Sequence, residues 1–188
     1  MNIIYCPASV LSLLEISQKR IKIMIRYLST LVIAISISFT SFAQKDSSEP
    51  VYLRFPTIPQ FTIYKASDSS AFTKNNLKKK KSTVFIIFSP DCEHCQRETD
   101  SLIAHIRLFR NAQIIMTTYL AHDMMVKFYR QYKIANHPEI TMGRDAKFFF
   151  PVFFKVASLP AIYVYDKKGK FKKSFEGSVK MSALAAAL

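Results

Sequence analysis

The chain has 188 residues, enough for one domain with a sizeable hydrophobic core plus a targeting segment. It is 49% hydrophobic and 13% aromatic with only three glycines, which excludes a disordered or collagen-like chain. The formal net charge is +14, but the basic residues are spread along the sequence and accompany no nucleic-acid-binding motif. We therefore interpret the charge as a solvated surface and expect no nucleic-acid partner.

Residues 1–43 have the organisation of a secretory signal peptide. The positive region contains four basic residues, Lys19, Arg20, Lys22 and Arg26. An apolar run over 27–39 follows, and a small-x-small site predicts cleavage after Ala43. Met24 would be a more ordinary start for such a segment. The alternative is an uncleaved membrane anchor, but only 17 residues precede Gln44 after the last basic residue and six of them are Ser or Thr. Cleavage and export to a bacterial periplasm are favoured.

The next segments are short and rich in turn residues. Residues 44–50 are predicted to be a linker, 51–55 and 61–64 short extended segments, and 71–77 a strand or a helical turn. Four consecutive lysines at 78–81 then precede an apolar run. We interpret them as a solvated loop that keeps the following strand from aggregating. The alternative is a site that holds an acidic partner near the cysteines that follow.

A buried strand is predicted over residues 83–88, and it leads into Cys92 and Cys95 and then into an amphipathic helix of about four turns. Removal of the signal peptide would also remove Cys6, which leaves this C-x-x-C pair as the remaining cysteines. A disulfide between them would close almost no loop and would gain little stability by constraining the unfolded chain. In an oxidising compartment, a redox role is therefore favoured over a structural bridge.

The remaining elements are predicted in this order: a strand over 112–120, a helix capped by Asp123, a loop over 137–143, a hairpin with arms over 161–165 and 171–175, and a helix over 178–188. The second hairpin arm alternates apolar residues with lysine, as an exposed edge strand does. The aromatic segment 148–154 is interpreted as core that covers one side of the sheet. A hydrophobic docking surface is the alternative.

This order of elements resembles the thioredoxin-fold superfamily, specifically its exported TlpA/ResA-like thiol–disulfide oxidoreductases. The resemblance runs from Phe61 to the C-terminus and rests on Phe88-Ser89-Pro90-Asp91-Cys92-Glu93-His94-Cys95, Ser158-Leu159-Pro160-Ala161 and Phe175-Glu176-Gly177. C-x-x-C alone is shared with zinc sites, but here a proline directly before a hairpin follows about 65 residues later. The resemblance implies an α/β domain over 51–188, with a central mixed β-sheet flanked by helices and a short N-terminal β extension.

In this fold Cys92 would lie at the N-terminus of the helix, where unpaired N–H groups and the helix dipole stabilise a thiolate. Cys92 would attack a partner's disulfide as the nucleophile, and Cys95 would resolve the mixed disulfide. His94 would stabilise the reduced form and make the couple more oxidising, whereas Glu93 would act in the opposite sense. The direction of electron flow therefore stays open.

The resemblance also implies that Pro160 is a cis-proline and that the backbone at Leu159 is free to pair with an extended substrate. The tryptophan that usually precedes the first cysteine is Asp91 here, whose carboxylate would disfavour the thiolate unless it points away. The buried acid that many thioredoxins carry is replaced by Ile86. Glu93 is then the nearest candidate for proton transfer at the second cysteine.

The leading hypothesis is an extracytoplasmic thiol–disulfide oxidoreductase that acts on proteins, needs no cofactor beyond the Cys92–Cys95 disulfide, and binds no metal. Its expected partners are protein thiols and disulfides and a membrane electron-transfer protein, and the chain is expected to be a monomer. One alternative is a copper- or zinc-binding chaperone that uses the two cysteines and His94, although a fourth ligand is missing. Another is a non-catalytic interaction module that uses the aromatic segment 148–154.

Overall fold

The computed structural model of the protein describes residues 19–28 and 49–188. The predicted cleavage site after Ala43 and most of the predicted linker lie outside these residues, so both stay predictions. Residues 19–28 are helical and exposed, and they belong to a different compact unit from Glu49–Leu188. Among the described residues, no helix is both long enough and apolar enough to span a bilayer.

The unit Glu49–Leu188 is built on a seven-stranded mixed sheet with the order β2-β1-β5-β4-β3-β6-β7. The strands are β1 Thr62–Lys65, β2 Ala71–Thr73, β3 Ser82–Ile87, β4 Ala112–Thr118, β5 Ile140–Arg144, β6 Ala161–Tyr165 and β7 Phe171–Glu176. β3, β4 and β5 are parallel, and the other neighbouring strands pair antiparallel. All six residues of β3 are buried, as expected for a strand covered on both faces. The predicted mixed sheet and the N-terminal β extension, formed by β1 and β2, are confirmed.

Helices cover both faces of this sheet. They are α1 Val51–Arg54, α2 Glu93–Ala104, α3 His122–Gln131, α4 Phe149–Phe154 and α5 Met181–Ala186. Because successive side chains of a strand point to opposite faces, β3 contributes to two separate cores. Val84 and Ile86 pack with residues of α2, α3 and α5, whereas Phe85 and Ile87 pack with residues of α4.

The second core, which we call the aromatic core, contains Phe61, Phe85, Phe150, Phe154, Tyr163 and Tyr165. In α4, Phe150, Phe153 and Phe154 are buried and Val152 is 66% exposed, while the N-cap residue Phe148 is 48% exposed. Pro151 is tolerated because it lies in the first turn, where its nitrogen needs no intrahelical bond. The predicted covering of the sheet by segment 148–154 is therefore confirmed for the three buried phenylalanines.

A Phe154→Ala substitution is expected to lower the free energy of unfolding by about 3–5 kcal/mol, because it would leave a cavity in the aromatic core. The Phe154 ring is 1% exposed and stacks on Tyr163 with a centroid distance of 3.7 Å. Urea denaturation measures the change. Phe148→Ala is the matched control, and it should cost less than about 1 kcal/mol because the Phe148 ring lies at the surface. Equal losses in the two variants would contradict this assignment of the core.

Two predictions of segment type were wrong. Residues 51–55 were expected to be extended, but Val51–Arg54 is a helical turn. The backbone N–H groups of residues 53 and 54 donate to the Pro50 carbonyl, and Tyr52 makes edge contacts with the rings of Phe154 and Phe171, so tertiary packing decides the local conformation. Residues 137–143 were expected to be a loop, yet Ile140–Arg144 forms β5 between β4 and β1.

Several helix boundaries also differ from the sequence prediction. α2 has 12 residues, just over three turns, and a 3₁₀ turn at Ile106–Phe109 replaces the expected last turn. Ala121, not Asp123, caps α3, and Asp123 lies in the first turn. The C-terminal helix begins at Met181 instead of residue 178. The segment 71–77 contains both predicted alternatives, a strand and then a 3₁₀ turn.

The lysine run 78–81 precedes the amino end of β3, whereas Cys92 follows its carboxyl end. A strand rises about 3.3 Å per residue, so the six residues of β3 separate the two loops by about 20 Å. The alternative that this run holds an acidic partner near the cysteines is therefore wrong. The run lies at the opposite end of the sheet.

Candidate active site

Both cysteines lie at the carboxyl end of the central strand β3, the usual place for a cleft in an open α/β sheet. The chain leaves β3 at Ile87 and reaches Cys92, which is the N-cap residue of α2. Cys92 is half-buried, and Cys95 is 1% exposed. Both are free thiols in this structure.

The Cys92 sulfur occupies the position of a capping oxygen. The Cys95 backbone N–H donates to Cys92 Sγ at an N–S distance of 3.4 Å, so one of the unpaired donors of the first turn is directed at the sulfur. This contact and the helix dipole favour negative charge on Cys92 over charge at Cys95, which lies inside the helix. The geometry gives the two predicted site residues different environments, one accessible and one buried.

The loop before β6 lies against the dithiol. Cys92 Sγ is 4.0 Å from the carbonyl oxygen of Leu159, at the outer limit of a sulfur hydrogen bond. The Leu159–Pro160 peptide bond is cis. Pro160 is buried, Leu159 is half-buried, and Pro160 lines a narrow crevice together with Cys95. The structure therefore brings together four residues that the sequence placed about 65 positions apart.

Burial raises the pKa of the Cys95 thiol to about 12. The hydrogen bond with Cys92 and the charges of Cys92 and Asp91 act in the same direction, and a backbone hydrogen bond at Ser89 opposes them. Cys95 is consequently a neutral thiol at ordinary pH. It must give up its proton to a nearby base before it can act as a nucleophile.

Glu98 is the residue that the sequence reasoning missed. It lies three positions after Cys95 on the same face of α2, and it is only 5% exposed. Its Oε2 accepts a hydrogen bond from the Val179 backbone N–H at 3.2 Å, while Oε1 has no hydrogen-bond partner among the described residues. Burial raises the pKa of this carboxyl. The i, i+3 spacing from Cys95 was the available signal.

Glu98 and Cys95 line the same crevice, which has no room for a water molecule. The other walls are apolar side chains and a threonine: Ile86, Phe88, Thr99, Leu102, Met116 and Pro160. Glu93, the expected proton-transfer group, does not line it. Its side chain is 83% exposed and pairs with Arg97 at 3.5 Å. The buried carboxyl beside Cys95 is therefore Glu98, whereas the expected Glu93 lies outside the crevice.

The other polar residues of the motif are exposed. His94 and Asp91 both face solvent. The Ser89 hydroxyl donates to Asp91 Oδ1, which anchors this carboxylate two residues before the motif helix begins. In the part of the chain that the structure describes, no three His, Cys, Asp or Glu side chains are grouped as metal ligands.

A separate groove of about 720 Å³ lies over the aromatic core. Its apolar walls include Phe61, Phe148, Phe149, Val152 and Phe153, and Lys147 also lines it. Neither cysteine lines it. This groove is the surface on which the alternative of an interaction module rests, and it is distinct from the dithiol.

Comparison with solved structures identifies the architecture. A secreted disulfide oxidoreductase of Mycobacterium tuberculosis, homologous to Escherichia coli DsbE, matches with a TM-score of 0.58 and 22% identity over 69% of this chain and 96% of that chain. StoA from Bacillus subtilis matches with a TM-score of 0.52 and 13% identity over 70% and 98%. The chain has the thioredoxin-like fold. The fold that the sequence resemblance implied is thereby confirmed.

The thioredoxin-like fold carries more than one activity. The peroxidoxin BcpB of Mycobacterium tuberculosis also matches, with a TM-score of 0.57 and 15% identity over 69% of this chain and 89% of that chain. At these identities the likeness establishes the fold, and function has to be argued from the site. No family model matches the chain, and no curated protein matches it in sequence.

Proposed function

We propose that the protein is an extracytoplasmic thiol–disulfide oxidoreductase of the TlpA/ResA-like type, which exchanges disulfides with partner proteins. The observation that carries the proposal is the asymmetry of the dithiol. Cys92 is accessible at the N-terminus of α2, and Cys95 is buried one turn later beside Glu98 and Pro160. The secreted disulfide oxidoreductase of Mycobacterium tuberculosis, which shares the fold, supports the same reading.

In the first step the Cys92 thiolate attacks one sulfur of a partner's disulfide. The partner's S–S bond breaks, its second sulfur leaves as a thiolate and takes a proton, and a mixed disulfide joins Cys92 to the partner. Cys92 suits this step because its sulfur is accessible and accepts the Cys95 N–H.

In the second step Cys95 attacks Cys92 Sγ, and the bond between Cys92 and the partner breaks. The partner's sulfur leaves as a thiolate and takes a proton from solvent. The Cys95 proton passes to the Glu98 carboxylate, because both groups line the same dry crevice. Burial raises the pKa of both groups, so Glu98 is a stronger base than an exposed carboxylate. The product is the Cys92–Cys95 disulfide, and two electrons have moved from this protein to the partner. The reverse sequence oxidises a partner dithiol.

The Leu159–Pro160 segment supplies the substrate position in this scheme. It lies beside Cys92 Sγ. A partner segment that pairs in extended form with Leu159–Pro160 would present its sulfur to the nucleophile. Glu93 and His94 are exposed next to Cys92 and tune its reactivity in opposite senses. The reduction potential of the couple relative to that of the compartment decides the direction of net electron flow.

Export to the periplasm is part of the proposal and rests on the signal-peptide pattern of residues 1–43. In that compartment a dithiol stays reduced only if an electron donor restores it, so a membrane electron-transfer protein is the natural partner alongside protein thiols and disulfides. We propose that the chain acts as a monomer, and that its redox centre is the Cys92–Cys95 pair without a further cofactor.

A Cys95→Ser variant is expected to accumulate mixed disulfides with its partners, because the first step proceeds and the resolving thiol is absent. Expression in the exporting host, acid quenching and non-reducing gel electrophoresis would show Cys92-linked adducts that a reductant removes. The Cys92→Ser/Cys95→Ser double variant is the matched control and should carry none. If the single variant captures nothing in cells, the protein-directed role is wrong.

A further inference from the structure

The end of the sheet opposite the dithiol is strongly basic. β3, β4 and β5 are parallel, and β6 is antiparallel to β3. The loops before the three parallel strands and the β6–β7 turn therefore meet at the same end of the sheet. These loops contain ten basic residues, Lys78, Lys79, Lys80, Lys81, Arg107, Arg110, Lys133, Lys167, Lys168 and Lys170. They contain two carboxylates, Glu139 and Asp166. We call this surface the basic end.

Hydrogen bonds join the loops of the basic end into one surface. Lys78 Nζ donates to the carbonyl of Pro138 at 3.3 Å, and Lys81 Nζ donates to the carbonyl of Arg110 at 3.0 Å. The pairing of Thr83 with Tyr165 places the β6–β7 turn beside the lysine run. The charges therefore lie side by side although they come from distant parts of the sequence.

The lysine run is held in place by a buried side chain. Gln113 is 6% exposed, its Oε1 accepts the Lys78 backbone N–H at 2.7 Å, and its Nε2 donates to the Lys78 carbonyl at 3.1 Å and to Thr83 Oγ1 at 3.0 Å. In the β6–β7 turn, Asp166 Oδ1 accepts the backbone N–H groups of Lys168 and Lys170 at 2.8 Å each. That carboxylate fixes the turn. Hydrogen bonds therefore hold the backbone of both the lysine run and the β6–β7 turn in place.

The basic end also carries an exposed apolar side chain. Leu108 is 49% exposed in the 3₁₀ turn Ile106–Phe109, and its neighbour Phe109 is fully buried and anchors the turn. Arg107 and Arg110 flank it and are exposed. An apolar residue among cations is typical of a protein surface that inserts at the level of lipid headgroups.

We propose that the basic end binds an anionic phospholipid surface and holds the dithiol at the far end of the sheet, facing away from the bilayer. The charges are spread over four loop tips, which suits a planar surface of many phosphates. Within these described loops no phenylalanine or tyrosine side chain is fully exposed for stacking on a base, and His105 is the one exposed aromatic ring, so the pattern favours lipid over nucleic acid. This inference goes beyond the proposed redox function and does not depend on it.

The test is co-sedimentation with vesicles of phosphatidylcholine alone and with vesicles that also contain phosphatidylglycerol, using the protein as purified after export. Binding to the anionic vesicles is expected, and it should weaken as salt rises. The Lys79→Gln/Lys80→Gln/Lys168→Gln variant should bind about a hundredfold more weakly, because each basic residue at a lipid surface contributes about fivefold. Leu108→Ser should weaken binding about fivefold even at constant charge.

The matched control is Lys127→Gln/Lys147→Gln/Lys180→Gln, which removes the same charge from exposed positions outside the basic end. It should lower the affinity by less than about threefold, because these lysines lie outside the loops that form the basic end and salt screens their attraction to the lipid surface. Equal losses in the two triple variants, or no preference for anionic vesicles, would overturn the proposal. Tighter binding of duplex DNA than of anionic vesicles at the same salt, lost in the first triple variant, would also overturn it.

Discussion

A Cys92→Ser variant is expected to lose disulfide exchange activity by at least about a thousandfold, because the attacking sulfur is absent and a serine hydroxyl stays protonated. Reduction of insulin disulfides with dithiothreitol as electron donor, followed by turbidity, measures the rate. The variant should fold, since serine is a preferred N-cap residue and Cys92 occupies the N-cap of α2. Loss of activity can then be assigned to chemistry.

The comparison with Cys95→Ser separates the two roles. That variant keeps the nucleophile, so it should react once with a model disulfide and form a mixed disulfide at Cys92, whereas Cys92→Ser should form none. Mass spectrometry after reaction with oxidised glutathione distinguishes the two outcomes. A Cys92→Ser protein that retains more than about a tenth of the wild-type rate would contradict the assignment of Cys92 as nucleophile.

A Glu98→Gln variant is expected to resolve mixed disulfides about 10²-fold more slowly, because the amide cannot accept the Cys95 proton. The first attack by Cys92 should change little, since Glu98 lines the crevice beside Cys95 and not the surface beside Cys92. Rapid-quench kinetics with a model disulfide separate formation and decay of the mixed disulfide. Glu93→Gln is the matched control, because it makes the same chemical change at an exposed carboxylate, and its decay rate should stay within about twofold of wild type.

Although Glu98→Gln should slow the resolving step, it should stabilise the folded protein at neutral pH. Burial raises the pKa of Glu98 in the folded protein above its unfolded value. The stabilisation from this group is therefore fully present below the unfolded pKa and is lost as pH rises through the folded pKa. Glutamine has no such transition. The stability of Glu98→Gln relative to wild type should therefore be greater at about pH 8 than at about pH 4. Urea denaturation at both pH values measures it. A stability difference between the two proteins that does not change with pH would show that folding does not raise the pKa of Glu98.

The sequence predicted the elements with a strong local pattern. The apolar run before Cys92 and the hairpin at 161–175 were recognisable because burial and alternation act on consecutive residues. β5 was missed because Gly143 weakens its pattern. A Cβ at this position would lie 2.8 Å from Ile63 Cδ1 and 3.0 Å from the Tyr64 carbonyl oxygen, so the glycine marks the close approach of β1, which only the fold reveals.

The candidate site was predictable in part. The positions of Cys92 and Cys95 follow from their motif, while the cis conformation at Pro160 came from resemblance and not from local chemistry. Glu98 was not found because its spacing places it on the same helix face as Cys95 without showing that this face is buried under the C-terminal segment at Val179. The predicted cleavage site lies outside the described residues, and the export signal remains a prediction from sequence.

The redox equilibrium of the Cys92–Cys95 pair tests the central claim most directly. The purified protein is equilibrated in buffers with graded ratios of reduced to oxidised glutathione, free thiols are alkylated in acid-quenched samples, and mass spectrometry counts the labels on the peptide that contains both cysteines. The expected result is a reversible, two-electron transition between a doubly labelled dithiol and an unlabelled internal disulfide. A pair that stays fully labelled across all ratios, or a protein that retains a stoichiometric metal ion on these cysteines, would contradict it.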